Sequence, residues 1–298
     1  MTPPARLRAR AQAPLAAVRR ALTDPAALRS WLAEFAEVDP RRRRYAFWGR
    51  YTPDGAEPRQ RLLHLDDTTI LLAWSLGGED TTTEIVLAPD GPDATLITLT
   101  QSHVPPWSVE VAETDILGML PTFWALSIAN LVDYLEGRDL TPKCDFTSLD
   151  MRGEVTIAAT PRDVYESMVD PGLYRQWFGA NVQIERHVGG RFAMGGFDLD
   201  DEPAVIVELE PDRKVRLEWP SLVATWELEG SNGGTRLTFV HSGFDEDNPP
   251  YGGWLGWLGG VAALRRFHEL YHPDLIWVQL DLPGLPDGML TESSHDQR

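Results

Sequence analysis

Residues 160–178 read TPRDVYESMVDPGLYRQWF, and residues 13–32 read APLAAVRRALTDPAALRSWL. Both stretches contain an Asp-Pro pair whose aspartate comes seven residues before a tryptophan. These residues are Asp24 and Trp31 in one stretch, and Asp170 and Trp177 in the other. The Thr-Pro pair that opens residues 160–178 is typical of a helix start, and the Asp-Pro pair predicts where that helix ends. The copied spacing predicts a copied fold.

The copy continues into segments whose apolar residues alternate, as they do in β-strands. Register can be compared there, because a slip of one residue would send the apolar set to the opposite face of a sheet. Ile70, Leu72 and Trp74 correspond to Val215, Leu217 and Trp219, and Ile97 and Leu99 correspond to Leu237 and Phe239. The repeat is roughly 140 residues long, far beyond the period of solenoids and propellers. The repeated unit is therefore a whole domain.

Turn signals between the alternating segments predict antiparallel hairpins. In the second copy they are Gly189-Gly190 and the segments 211–214 and 231–234. Each copy then ends in a long pattern of helical periodicity, over residues 121–136 and 254–270. The sequence thus predicts an α+β fold in which each unit is an antiparallel sheet wrapped on a long C-terminal helix.

These patterns divide the chain into two domains and a tail. We expect domain one over residues 1–141 and domain two over residues 145–272. Residues 273–298 are expected to hold one strand, with alternation over residues 276–282, followed by a flexible tail.

Five glycines flank or enter the second long helix and indicate close packing or a mobile cover. They are Gly252, Gly253, Gly256, Gly259 and Gly260.

Composition argues against several classes of protein. The formal net charge is -18, so phosphate repulsion disfavours nucleic-acid binding. We interpret the basic run Arg41–Arg44 as a solvated edge rather than a phosphate-binding patch. No apolar run approaches the roughly 18 residues that would cross a membrane, so we expect no membrane insertion. The single cysteine, Cys144, forms no internal disulfide and fits a reducing cytoplasm, where we expect the protein to reside.

The second copy resembles a known family through a set of motifs. The motifs are ATPRDV at 159–164, the Asp170-Pro171 pair, Trp177-Phe178, VGGRF at 188–192, EPDRKVRLEW at 210–219, GTRLTFVHSGF at 234–244 and Gly253-Trp254. They are similar to the START-like (SRPBCC) superfamily, in the branch related to the activator of the heat shock protein 90 ATPase. The first copy resembles the same branch through fewer residues, and it has RRRRY at 41–45 in place of VGGRF.

The resemblance implies two tandem helix-grip domains. In this fold a curved antiparallel sheet and the C-terminal helix enclose an apolar cavity, which in relatives binds lipids, polyketides or other hydrophobic molecules. The superfamily also includes cyclases, hydroxylase domains and co-chaperones. The function must therefore be argued from the residues of the site.

Interior residues of domain two form the predicted ligand site. His241 shares a strand face with Leu237 and Phe239, so its imidazole is aimed between sheet and helix. Such a histidine could orient a ligand or act as an acid or base near neutral pH, and it could equally be a hydrogen-bonded core residue. Aromatic walls with few polar anchors are typical of small-molecule pockets, although plain core packing gives the same pattern. The predicted cavity residues are Phe192, Met194, Trp219, Trp226, His241, Trp254 and Trp257.

Two sequence motifs resemble metal-binding sites. Residues 268–272 read HELYH, which matches the HExxH pattern of zinc peptidases. Because Pro273 ends the helix directly after this motif, we interpret it as an incidental pair of histidines on the surface. The acidic segments 198–202 and 245–247 are interpreted as solvated turns, since the first lacks the glycine and distal glutamate of a calcium loop. We expect no metal and no cofactor.

Three functions remain open. The first is non-catalytic binding of a hydrophobic small molecule, chiefly in domain two. The second is a co-chaperone or regulatory module that binds a chaperone or another protein, and the third is a cyclase- or hydrolase-like enzyme that uses His241. Binding requires an open apolar cavity, catalysis requires a second polar group beside His241, and an interaction module requires an exposed apolar patch. We expect binding without turnover and assign no catalytic residue.

Overall fold

The computed structural model describes residues 3–108, 114–271 and 281–290, and the chain divides into two compact units. The first unit comprises residues 1–148, 250–259 and 279–284, and the second comprises residues 149–249, 260–278 and 285–298. The first part of the second long helix therefore groups with the first unit. The domain boundaries inferred from the sequence stay predictions.

The first unit contains, in its described residues, short helices, antiparallel strands and a long helix. Strand β1 spans Ala5–Ala11, helices α1 and α2 span Leu15–Thr23 and Pro25–Trp31, and strands β2 and β3 span Phe35–Asp39 and Arg44–Trp48. Strands β4 to β7 span Gln60–Leu65, Thr69–Leu76, Glu79–Pro89 and Thr95–Gln101, and helix α3 spans Leu120–Leu135. The main sheet has the order β1-β7-β6-β5-β4.

The second unit repeats this succession of elements. Strand β8 spans Arg152–Ile157, and helices α4 and α5 span Pro161–Val169 and Pro171–Phe178. Strands β9 to β14 span Val182–Ile184, Arg191–Met194, Ala204–Glu210, Lys214–Trp219, Leu222–Ser231 and Gly234–Ser242. Helix α6 spans Tyr251–Glu269, and its part from Gly260 onward belongs to this unit. The sheet has the order β8-β14-β13-β12-β11-β10-β9. This architecture confirms the α+β prediction of two tandem helix-grip domains.

The Asp-Pro pair forms the corner between the two short helices of each unit. Asp24 Oδ1 accepts a hydrogen bond from Ala26 N at 2.7 Å, and Asp170 Oδ1 accepts one from Leu173 N at 2.9 Å. Each aspartate thus caps the second short helix, and the proline that follows occupies the first turn, where its missing N–H is not needed. The pair ends one helix, as predicted, and begins the next.

The tryptophan of the repeated motif ties the second short helix back to the first. Trp31 Nε1 donates to Ala21 O at 3.0 Å, and Trp177 Nε1 donates to Ser167 O at 2.7 Å. Both indoles are buried, so an unbonded N–H would be costly there. The bond spans ten residues in each unit, and this shared contact accounts for the shared spacing in the sequence.

The two main sheets also share their register. The predicted inward residues are buried, and Trp219 alone among them is half-buried. A β-bulge interrupts the pairing between Leu62 and His64 in β4 and between Ile206 and Glu208 in β11. A bulge re-aims the residues that follow it, so its presence at the same strand in both units preserves the same inward faces.

The units differ at the VGGRF segment. In the second unit, Gly189 N donates to Ile206 O and Ile206 N donates to Gly190 O, both at 2.8 Å. Gly189 has a φ of 84°, and a Cβ on Gly190 would lie 2.1 Å from the Glu185 carbonyl oxygen. Only glycines permit this close approach. The RRRRY segment of the first unit lacks them, and there β2 and β3 form a separate two-stranded sheet.

Most of the predicted strand 276–282 lies outside the described residues, although Asp281 and Arg6 exchange two backbone hydrogen bonds at 2.7 and 3.0 Å.

Cys144 is buried, and burial raises the pKa of its thiol, so the thiol is unreactive. Arg41, Arg42, Arg43 and Arg44 are exposed. No helix in the described ranges is long and apolar enough to cross a membrane. The cytoplasmic location stays a prediction.

Candidate functional site

His241 lies on the inward face of β14 and is only 3% exposed. Its backbone N donates to Met151 O at 2.9 Å. Its cross-strand neighbour on β13 is Ala224, which is fully buried and presents a methyl group. The cross-strand residue on β13 therefore offers no side-chain hydrogen bond to the imidazole.

Burial lowers the pKa of His241 to about 3. The imidazole is consequently neutral throughout the physiological range, with one nitrogen as a donor and the other as an acceptor. A general acid or base works best when its pKa lies near the working pH. The environment of His241 therefore suits hydrogen bonding better than proton transfer.

Aromatic rings flank His241 on the inward face of the sheet. Phe239, two residues earlier on β14, lies with its ring 4.9 Å from the imidazole in an edge-to-face arrangement. Trp226, the cross-strand neighbour of Phe239, stacks on that ring at 4.8 Å. All three side chains are buried. They form a continuous apolar wall with one polar edge.

The structure places the remaining predicted cavity residues as follows. Phe192 is buried on β10, and Met194 and Trp219 are half-buried at the ends of β10 and β12. Trp254 is buried and Trp257 half-buried, and both belong to the part of α6 that groups with the first unit. The assignment of all seven residues to one cavity stays a prediction.

Gln101 occupies in domain one the strand position that His241 occupies in domain two. Its cross-strand neighbour is Thr83, whose hydroxyl donates to Gln101 Oε1 at 2.7 Å. Trp124 Nε1, from helix α3, donates to the same oxygen at 3.1 Å. Gln101 Nε2 in turn donates to Ser102 O at 3.1 Å. The polar group at this position is thus satisfied within domain one itself.

Aromatic side chains pack closely in the interior of domain one. The ring of Trp74 lies 5.1 Å from that of Phe47, 5.9 Å from that of Phe123 and 6.1 Å from that of Trp124, in edge-to-face contacts. All four side chains are buried. Trp74 Nε1 is enclosed among them without a hydrogen-bond acceptor in the described part of the chain. Contacts of this kind are the packing that a filled core shows.

A second aromatic cluster of domain two surrounds Tyr174, a residue that the sequence patterns did not single out. Its ring lies 4.5 Å from that of Trp177, 5.4 Å from that of Phe178 and 5.7 Å from that of Phe192. The sequence did carry a signal. Counted from the repeated Asp-Pro pair, Tyr174 corresponds to Leu28, so the two copies differ here by a hydroxyl-bearing ring.

Gly260 allows helix α6 to approach this cluster. A Cβ on Gly260 would lie 2.8 Å from Phe178 Cε2 and 3.7 Å from a ring carbon of Trp177. Any larger residue would push the Phe178 ring aside. Close packing therefore explains the glycine at this position, and it is one of the two explanations that the sequence pattern left open.

Within the HELYH segment, Glu269 bonds to the backbone that follows strand β8. Glu269 Oε1 accepts a hydrogen bond from Ala158 N at 3.2 Å, and burial lowers the pKa of His268. His272 lies outside the described residues. In the described ranges, His, Cys, Asp and Glu form no group of three that could hold a metal ion. The acidic segments act as turns, in which Asp200 and Asp245 accept hydrogen bonds from Glu202 N and Asp247 N.

The outward face of the same sheet carries a charged depression of about 480 Å³. Lining side chains of opposite charge pair with one another: Lys214 Nζ lies 3.7 Å from Glu227 Oε1 and Arg213 Nη1 lies 3.4 Å from Glu210 Oε2. Exposed pairs of this kind contribute little and leave no net charge for a ligand. The inward face is therefore the better candidate for a binding site.

Comparison with known proteins adds a family match over both halves of the chain. The family model described as Activator of Hsp90 ATPase homolog 1-like protein matches residues 12–136 and 158–261. No curated protein matches the chain.

Among solved structures, DynU16, a putative protein in the dynemicin biosynthetic locus, is 16% identical, with 89% of this chain and 98% of that chain covered and a TM-score of 0.35. CalU16 from Micromonospora echinospora is 22% identical, with 40% and 73% covered and a TM-score of 0.35. The Aha1 dimer from Colwellia psychrerythraea is 16% identical, with 41% and 98% covered and a TM-score of 0.37.

Proposed function

Since this chain belongs to the Activator of Hsp90 ATPase homolog 1-like family, we propose that its second domain binds a hydrophobic small molecule without chemical turnover. The molecule lies against the inward face of the sheet, where Trp226, Phe239 and Phe192 supply apolar walls and His241 supplies a hydrogen bond. Domain one keeps the same fold with a packed interior and binds no such molecule.

The contrast between positions 101 and 241 carries this proposal. In domain one the polar side chain Gln101 bonds to its cross-strand neighbour Thr83 at 2.7 Å. In domain two the cross-strand neighbour of His241 is Ala224, so its imidazole lies beside a methyl group and the rings of Phe239 and Trp226 on the inward face. A polar side chain set in an apolar aromatic wall is the arrangement that small-molecule pockets show, and a hydrophobic ligand with one polar atom fits it.

The charge state of His241 favours binding over catalysis. With a pKa of about 3, the imidazole neither takes up nor releases a proton between pH 5 and 8. An enzyme of the cyclase or hydrolase type would need a group that titrates closer to its working pH. A neutral donor and acceptor in an apolar wall suits a ligand that is held rather than converted.

Native mass spectrometry of the full-length protein purified from its own host tests the proposal. We expect the wild-type protein to carry a hydrophobic molecule and the His241→Leu variant to lose it. The matched control is Gln101→Leu, which leaves Thr83 and Trp124 without their shared acceptor. It should cost about 1–3 kcal/mol of stability and leave the bound molecule in place.

Two results would contradict the proposal. If the wild-type protein carries no hydrophobe and instead retains another protein, the regulatory or co-chaperone alternative is the better one. If His241→Leu keeps the molecule but unfolds more readily, His241 is a core residue with a structural partner, because loss of a bonded side chain leaves its partner unsatisfied.

A further inference from the structure

Tyr174 is a buried polar residue that the proposed function does not yet use. It lies on helix α5 and is 3% exposed. Its hydroxyl oxygen is buried and has no hydrogen-bond partner among the described residues. A buried hydroxyl without a partner destabilises a folded domain. A core that needed only volume at this position would be better served by an apolar side chain.

Domain one has an apolar side chain at this position. Leu28 holds the equivalent position, four residues after the capping aspartate, and it is fully buried. The difference between the copies therefore adds a hydroxyl to the interior of domain two.

Two other buried aromatic side chains of the protein have partners, whereas the Trp74 indole of domain one has no acceptor in the described part of the chain. The hydroxyl of Tyr45 donates to Leu22 O at 2.7 Å. Trp177, in direct ring contact with Tyr174, donates its indole N–H to Ser167 O at 2.7 Å. The second unit therefore supplies an acceptor to the indole that contacts Tyr174, whereas the Tyr174 hydroxyl in the same cluster has none among the described residues.

We infer that the Tyr174 hydroxyl is a second hydrogen-bonding anchor of the ligand site, and that the ligand is an uncharged ring system bearing an oxygen such as a ketone. This inference rests on the proposed function of domain two. The rings of Trp177, Phe178 and Phe192 contact the ring of Tyr174, and a flat apolar molecule packs well against ring surfaces of this kind. Phe192, one of the predicted cavity residues, joins this cluster to the inward face of the sheet through its pairing with Ala204.

Because the side chains of Tyr174 and His241 are both neutral, we expect the ligand to be uncharged. Burial raises the pKa of Tyr174 and lowers that of His241, so both groups are uncharged at neutral pH. Neither can compensate the desolvation of an ionised ligand, which is far more costly than that of a neutral oxygen. A ketone or ether oxygen accepts from the tyrosine hydroxyl without that penalty.

The test uses two probes of nearly equal shape, 2-acetylnaphthalene and 2-ethylnaphthalene, with 2-naphthoate as the charged comparison. Binding to the full-length protein is followed by quenching of tryptophan fluorescence. We expect the wild type to prefer the ketone over the hydrocarbon by about 2- to 10-fold, the value of one hydrogen bond. Tyr174→Phe should remove this preference and leave the affinity for 2-ethylnaphthalene unchanged. We expect 2-naphthoate to bind more weakly than the ketone.

Thermal unfolding of the ligand-free variants gives an independent readout. Tyr174→Phe should keep or raise the melting temperature, because it deletes a hydroxyl without a partner. The matched control Tyr45→Phe should lower it, because it deletes a hydroxyl bonded to Leu22, and it should leave the ketone preference intact.

The outcomes separate the inference from the proposed function. If neither neutral probe binds the wild-type protein, the proposed function fails and the anchor fails with it. If the probes bind but the ketone preference survives Tyr174→Phe, or if this variant is destabilised as Tyr45→Phe is, the anchor alone fails. If 2-naphthoate binds more tightly than the ketone, the uncharged ligand class is wrong.

Discussion

Transplanting the polar pair of domain one into domain two tests the comparison of the two interiors. The double substitution Ala224→Thr with His241→Gln would recreate the bond that Thr83 and Gln101 form at 2.7 Å. Ala224→Thr alone buries a hydroxyl beside the imidazole and adds volume to a fully buried site, which together should cost about 2–4 kcal/mol. His241→Gln alone places an amide opposite a methyl group.

In the double variant the new hydroxyl and the new amide satisfy each other. The destabilisation should therefore be smaller than the sum of the two single effects by about 1 kcal/mol, the net value of one buried hydrogen bond. The wild type, the two single variants and the double variant form a double-mutant cycle. The overpacking cost of threonine is present with and without the glutamine, so it cancels in that cycle. The double variant should also lose the bound hydrophobe, since its polar groups are now tied to each other.

Urea unfolding of all four proteins, followed by tryptophan fluorescence and far-ultraviolet circular dichroism, measures the coupling. The reverse exchange in domain one, Thr83→Ala with Gln101→His, serves as the control and should show coupling of the same sign. Additivity within about 0.5 kcal/mol in domain two would refute the reasoning. It would mean that residues 224 and 241 do not face each other as residues 83 and 101 do.

Two further predictions concern pH and packing. Because the folded pKa of His241 is about 3 and the unfolded value is about 6.5, the unfolded chain binds the proton first as the pH falls. Stability should decline below pH 6.5 by up to roughly 1.4 kcal/mol per pH unit from this residue. Unfolding at pH 7, 6 and 5 should show a shallower decline for His241→Gln, and equal slopes would contradict the assignment of His241 as buried and neutral. Gly260→Ala should lower the melting temperature although alanine favours helices by up to about 1 kcal/mol, because its Cβ would lie 2.8 Å from the Phe178 ring. Adding Phe178→Leu should relieve part of that loss, and a stabilised single variant would show that the ring moves aside freely.

The sequence alone determined the features that depend on local spacing. The Asp-Pro corner and its tryptophan are recognisable because the cap and the indole bond close over only a few residues, as Asp170 and Trp177 show. The inward positions of the strands follow from the alternation of side chains across a pleated sheet. The inward aim of His241 was predicted correctly for that reason, since parity with Leu237 and Phe239 is a local property.

Only the tertiary structure decided which polar groups find partners. The pairing of Thr83 with Gln101, and of Ala224 with His241, depends on the register between neighbouring strands, and no pattern within one strand encodes it. The Tyr174 hydroxyl poses the same problem. The helical spacing of Tyr174 is typical of a core residue, and only the placement of the surrounding rings shows that its hydroxyl has no partner among the described residues. Hydrogen-bond satisfaction is a three-dimensional property, so the sequence could indicate which residues lie in the interior of domain two but not how their polar groups are paired.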